Sequence, residues 1–99
     1  VVDLLKDNQK VGFIALEKTD NRINIVAIEV YKEQRKEGIA ESALRQLPTY
    51  IRKNFDNIKV LSITLYGENN ELSPLCINSN FVEVEQAEDY ILFEKYINY

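Results

Sequence analysis

Apolar positions along this chain gather into short β-branched runs separated by polar clusters, with one stretch of helical spacing between them. Val1 to Leu5 is a short apolar run, and Val11-Gly12-Phe13-Ile14-Ala15-Leu16 is a second. The polar Asp7-Asn8-Gln9-Lys10 between them reads as the turn of a hairpin. Thr19-Asp20-Asn21-Arg22 is a further turn cluster, and Ile23 to Val30 a third strand. Strands joined by such short turns predict an antiparallel meander. In the third strand Ile23, Ile25 and Ala27 share a face with Glu29, and Asn24, Val26, Ile28 and Val30 share the other. Both faces are mostly apolar, which predicts a central strand covered on both sides.

From Gly38 to about Phe55 the period changes. Ile39, Ala43, Leu44, Leu47, Tyr50 and Ile51 recur at helical spacing, with Glu41, Arg45, Gln46, Arg52 and Lys53 on the solvated side. Glu37 and Glu41 stand early and Arg52 and Lys53 late, in accord with the helix dipole. Pro48 conflicts with a continuous helix. It removes a bond to Leu44 and clashes there, at about 3 kcal/mol, so a kink or a break is expected. Ile58 to Tyr66 is a strand, and the strand-helix-strand order makes a right-handed crossover between parallel strands. Gly67-Glu68-Asn69-Asn70 turns the chain into a short helix from Glu71 to about Ser79, with Pro74 in its first turn. Asn80 to Glu85 and Tyr90 to Ile97 are the last strands. The order is β-β-β-α-β-α-β-β, an α+β (mixed α/β) arrangement.

Composition narrows the chemistry. The 99 residues suit a single domain, 45% apolar and 28% charged. There is no His, which removes His-based triads and the usual zinc sites, and no metal is expected. The single Cys forms no internal disulfide and suits a reducing, cytoplasmic setting. A net charge of −4 argues against nucleic-acid binding, and no apolar run approaches a membrane span. With no Met the chain does not start at an initiator and reads as a trimmed or excised domain.

The segment Val30 to Ala40 carries the candidate chemistry. A strand runs into a polar loop, and Gly38 stands at the entry to the helix. The first amides of a helix lack partners within it, and glycine lets a ligand approach the backbone, so an anion such as phosphate fits here. A plain strand-to-helix turn also accounts for a lone glycine. The spacing Arg35-x-x-Gly38-x-Ala40 resembles the signature loop of the GNAT superfamily of acyl-CoA-dependent N-acyltransferases. In that family the loop's amides hold the pyrophosphate of coenzyme A. The element order matches the family core from its second strand onward, so the resemblance covers residues 1–99. It implies a mixed sheet whose parallel pair splays around the cofactor, and a domain lacking the family's first strand and first two helices.

A second part of the family pattern follows the fourth strand: an Asn, then often a Tyr, then the Phe of a Gly-Phe pair. Asn69, Cys76 and Phe81 occupy those positions, with Asn80 in place of Gly and able to keep a positive φ. Cys76 stands where the family often has the acid that protonates the departing thiolate. A small apolar side chain packing its helix on the sheet is the other reading of Cys76. Asn69 reads either as a helix cap or, by the resemblance, as a cofactor contact.

The resemblance implies acetyl-CoA as cofactor, held by Arg35, Lys36, Glu37, Gly38, Ile39, Ala40 and Asn69. The resemblance also implies that a backbone amide near the end of the third strand, around Ile28 to Val30, polarises the thioester carbonyl. Glu29 is the carboxylate on the central strand placed to serve as base toward an amine, or it is simply solvated or paired with a Lys. The first reading is therefore acetyl transfer to a primary amine of a small molecule or a protein. The second is a non-catalytic CoA-binding or structural module working through partner contacts. The final strand, as an edge, offers Tyr90, Leu92 and Tyr96 for a homodimer seam.

Overall fold

A computed structural model describes residues 1–31, 33, 38–67 and 72–97. The elements follow the expected order: β1 (Val2–Lys6), β2 (Gln9–Thr19), β3 (Arg22–Val30), α1 (Ile39–Asn54), β4 (Val60–Tyr66), α2 (Ser73–Asn78), β5 (Val82–Gln86) and β6 (Tyr90–Tyr96). Asp7, Asn8 and Asp20 take positive φ, which lets the β1–β2 and β2–β3 turns close with few residues. Both hairpins are antiparallel, β3 and β4 are parallel, and the six-stranded sheet runs β1-β2-β3-β4-β6-β5.

Alternation sorts the sheet into two faces. Ile14, Ile25, Leu61, Ile63, Leu65 and Phe93 point to one and form a core with Leu44, Leu47 and Ile51 of α1 and Cys76 of α2. Both helices lie on this face, and Arg45 of α1 donates to the Asn78 carbonyl at the end of α2 at 3.0 Å. The opposite face carries Asn24, Glu29, Ser62, Thr64, Tyr66, Tyr90, Leu92 and Glu94, and no helix covers it among the described residues.

Four expectations are corrected. β3 is central but not covered on both sides: Val26 is 61% exposed, and Ala27 and Glu29 are exposed. The cause is a bulge. Ala15 pairs with Ala27 while Leu16 pairs with Ile25, leaving Val26 as an extra residue in β3. The bulge inverts the alternation, so Glu29 stands on the opposite face from Ile23 and Ile25 rather than beside them. Pro48 does not break the helix, for α1 runs unbroken through it with Pro48 itself buried. Burying Leu44, Leu47 and Ile51 contributes about 1.5–3 kcal/mol each, enough to offset the cost of the proline. Finally, β6 is not an edge. It sits between β4 and β5, which occupy its backbone on both sides, so the strand at that edge is β5.

Gly12 of β2 shows how closely the hairpin packs. A Cβ there would run into the Glu29 carbonyl oxygen and stand 3.0 Å from the Val30 Cα, both backbone atoms that cannot rotate aside. Gly12→Ala is therefore expected to destabilise the chain by about 2–3 kcal/mol, read from the midpoint of urea unfolding. A wild-type midpoint would show that β2 and β3 are not locked at this spacing.

Candidate active site

The site is set by the place where two parallel strands part. β3 pairs with β4 only from Arg22–Val60 to Ile25–Ile63. Beyond that, β3 continues to Val30 along β2, and β4 continues to Tyr66 along β6. Two arms thus diverge after Ile25 and Ile63, and the bulge at Val26 lies where β3 turns away. On the helix-free face the joint is clasped. The Ser62 hydroxyl donates to Asn24 Oδ1, and Arg22 pairs with Glu94 at 2.6 Å. Sequence reading passed over these groups, although a polar residue inside each apolar strand, Asn24 between Ile23 and Ile25 and Ser62 between Leu61 and Ile63, was the available signal.

The opening faces the C-terminal ends of β3 and β4, which is also where α1 begins. Gly38 is the N-cap of α1 with φ 75 and ψ 15, a left-handed conformation that suits glycine. Among the described residues, no side chain caps the helix and nothing stands within 4 Å of where a Gly38 Cβ would be. The first helical bond runs from the Ser42 amide to the Gly38 carbonyl at 3.0 Å, so the amides of Ile39, Ala40 and Glu41 have no acceptor within the helix. These donors, at the positive end of the helix dipole and beside open space, fit a phosphate group. A cleft of about 650 Å³ adjoins them between β1 and α1, lined by Leu4, Ile14, Gly38, Ile39, Ala43 and Leu47 among others.

The structure brings part of the expected set together. Gly38, Ile39 and Ala40 form the helix entry, and Ile28, Glu29 and Val30 lie on the diverging arm of β3. Glu29 pairs across to Phe13 and turns its carboxylate to the helix-free face, exposed. Arg35, Lys36, Glu37 and Asn69 lie outside the described residues. Asn80 does hold the positive φ expected of a glycine substitute, at 69°. Cys76 is fully buried in the core between α2 and the sheet, the placement of a packing side chain. Burial pushes its thiol up to about 11. Tyr66 is 71% exposed on the opposite face and does not share the space of Cys76.

Comparison with solved structures agrees with this fold. The ribosomal-protein-S18-alanine N-acetyltransferase of Escherichia coli matches with a TM-score of 0.77 at 15% identity, over 96% of this chain and 66% of that one. This chain has the GNAT fold. An acetyltransferase of the GNAT family from Bacillus anthracis gives a TM-score of 0.78 at 15% identity, over 91% of this chain and 60% of that one. The PaiA N-acetyltransferase of Thermoplasma acidophilum, solved in complex with coenzyme A, gives 0.72 at 17% identity, over 93% of this chain and 57% of that one. The chain thus spans 57% to 66% of the length of these three structures. No protein-family model and no curated protein sequence matches it. Among the described residues, no helix is long and apolar enough to cross a membrane.

The state of Cys76 is directly testable. In the folded chain it is expected to resist a thiol-disulfide reagent at mildly alkaline pH and to react at once in denaturant. Its raised folded pKa also sets a sign. Thiol ionisation favours the unfolded chain only above the ordinary value of 9.0, so this group erodes stability as pH climbs from 9.0 towards about 11 and contributes nothing below. Rapid labelling of the native chain would place Cys76 outside the core.

Proposed function

We propose that this GNAT-fold chain is an acetyl-CoA-dependent N-acetyltransferase that acylates a primary amine by direct attack. The observation that carries the reading is the coincidence of the parted β3 and β4 arms with a glycine-led helix entry, without a side-chain cap among the described residues, at the same end of the sheet. The amides of Ile39, Ala40 and Glu41 and the Arg35 to Gly38 segment would hold the pyrophosphate of coenzyme A. When bound, acetyl-CoA supplies the acyl group as a thioester. The β3 arm from Ile28 to Val30 presents main-chain donors to an acyl oxygen lying between the strands. An alkylamine is cationic near neutrality, with a pKa of about 10.4, and must lose a proton before it attacks. Glu29 is the carboxylate on the diverging arm and takes the role of base or water-positioner.

A cytoplasmic setting, an amine acceptor from a small molecule or a protein, and no nucleic-acid partner belong to the same reading. One observation favours the alternative, a non-catalytic CoA-binding or structural module. Cys76, at the position where the family often has its tyrosine acid, is buried. A thiol of pKa about 8.5 leaves tolerably without a strong acid, which keeps catalysis the preferred reading.

Calorimetric titration with CoA and acetyl-CoA tests the cradle. Micromolar binding is expected for the wild type, weakened at least about tenfold in Gly38→Asp. Aspartate is among the side chains that most readily take positive φ, and it sets a carboxylate against the phosphate; an unfolding midpoint reads the strain it adds and confirms that the variant folds. No binding by the folded wild type removes the acyltransferase reading. For the chemistry, Glu29→Gln is expected to lower kcat by about 10²-fold or more with little change in KM for acetyl-CoA. An unchanged kcat would take the base role from Glu29.

A further inference from the structure

The helical layer over the sheet is incomplete. α1 packs on β3 and α2 on β5, and there is no third helix among the described residues. Strands lie about 4.8 Å apart and a helix is about 10 Å across, so one helix covers about two strands. Two helices on a sheet ordered β1-β2-β3-β4-β6-β5 therefore leave a gap at the β1 edge. Val2 and Leu4 of β1 pair with Ile14 and Gly12, which places them on the helical face, yet both are only half-buried. The cleft of about 650 Å³ lies there, between β1 and the side of α1 that carries Ala43, Gln46, Thr49, Tyr50 and Lys53. Along α1 it reaches from Ile39 to Lys53, about 21 Å. It is separate from the opening between β3 and β4, for no described residue of those two strands lines it.

We infer that this cleft docks an amphipathic helix of a partner protein, one with an apolar stripe and acidic flanks. The inference goes beyond the acyltransferase reading and does not rest on it. A helix laid beside α1 completes the layer, with its stripe set on Val2, Leu4 and Ile14 and against the small Ala43, which lets two helices approach closely. The rim gives the sign of the flanks. The charged residues that line the cleft are Asp3, Lys6 and Lys53, and Asp3 is already paired with Lys10 at 3.2 Å. That leaves Lys53, exposed in the last turn of α1, to set the sign at its end of the cleft. A second copy of the chain does not meet this need. Both of its helices are packed on its own sheet, and two chains of net charge −4 repel. An extended segment would pair along the outer edge of β1, in the plane of the sheet, and leave the cleft above Leu4 open.

The probes are two fluorescent peptides of about 18 residues with the same leucine stripe at helical spacing, one with glutamate and one with lysine at its polar positions. Titrated with the intact chain and read by anisotropy, the glutamate peptide is expected to bind at least about fivefold more tightly than the lysine peptide. Net charge alone predicts the opposite order, so the comparison separates the cleft from general attraction. Lys53→Glu is expected to reverse the order. Thr49→Trp, which fills the cleft, is expected to weaken the glutamate peptide at least about tenfold. Both positions are exposed, and unfolding midpoints confirm that the variants fold. A lysine peptide that binds as tightly as the glutamate peptide, no binding of the glutamate peptide by the folded chain, or binding that neither substitution alters overturns the inference. A wild type that sediments as a dimer and ignores both peptides gives the cleft to a second copy and overturns it as well.

Discussion

Hydrogen bonding between β3 and β4 ends at Ile25 and Ile63, and the functional geometry of the chain depends on that stop. Parallel strands leave their backbone donors and acceptors slanted toward one another, so strands that part must find other partners for those groups or offer them to a ligand. β3 keeps its ladder with β2, and β4 keeps its ladder with β6, so each arm is held from its outer side while the inner sides diverge. The bulge at Val26 supplies the bend, and the Asn24–Ser62 and Arg22–Glu94 contacts hold the joint closed below it.

The same topology fixes where the helix dipole acts. Because β3 and β4 are parallel, the chain must cross back over the sheet between them, and α1 starts at the end where the arms have parted. Gly38 enters α1 in a left-handed conformation, and among the described residues no atom stands near where its Cβ would be. Helix dipole, amides with no acceptor inside the helix, and strand opening thus meet at one end of the sheet without any residue that is unusual by itself.

The two faces of the sheet divide the labour. The helical face is sealed by Leu44, Leu47, Ile51, Cys76 and Phe93 and takes up the apolar runs. The other face carries Glu29, the Tyr66–Tyr90 pair and Glu85, and no helix covers it among the described residues. Cys76 belongs to the sealed side. A thiol held up to about 11 in an apolar core is a packing group, and its position in the family pattern does not by itself confer a role.

Strand and helix existence, their order and the core positions of α1 were legible because each rests on a local period: alternation in Ile58 to Tyr66, and helical spacing from Ile39 to Ile51. The parallel β3–β4 pairing followed from the crossover, and the positive φ at Asn80 from the tolerance of asparagine. The errors arose where a distant partner decides. Continuous alternation put Glu29 with Ile25, but a bulge is a mismatch between two strands, and one strand's sequence does not contain it. A final strand looks like an edge until β5 is seen to pair outside it. Pro48 carries the same local penalty in any helix, and only burial against the sheet offsets it. The sequence by itself determined which segments form strands and helices and which residues are apolar enough to be buried. Tertiary structure alone decided which face each carboxylate meets and where two strands stop pairing, because both depend on register between segments far apart in the chain.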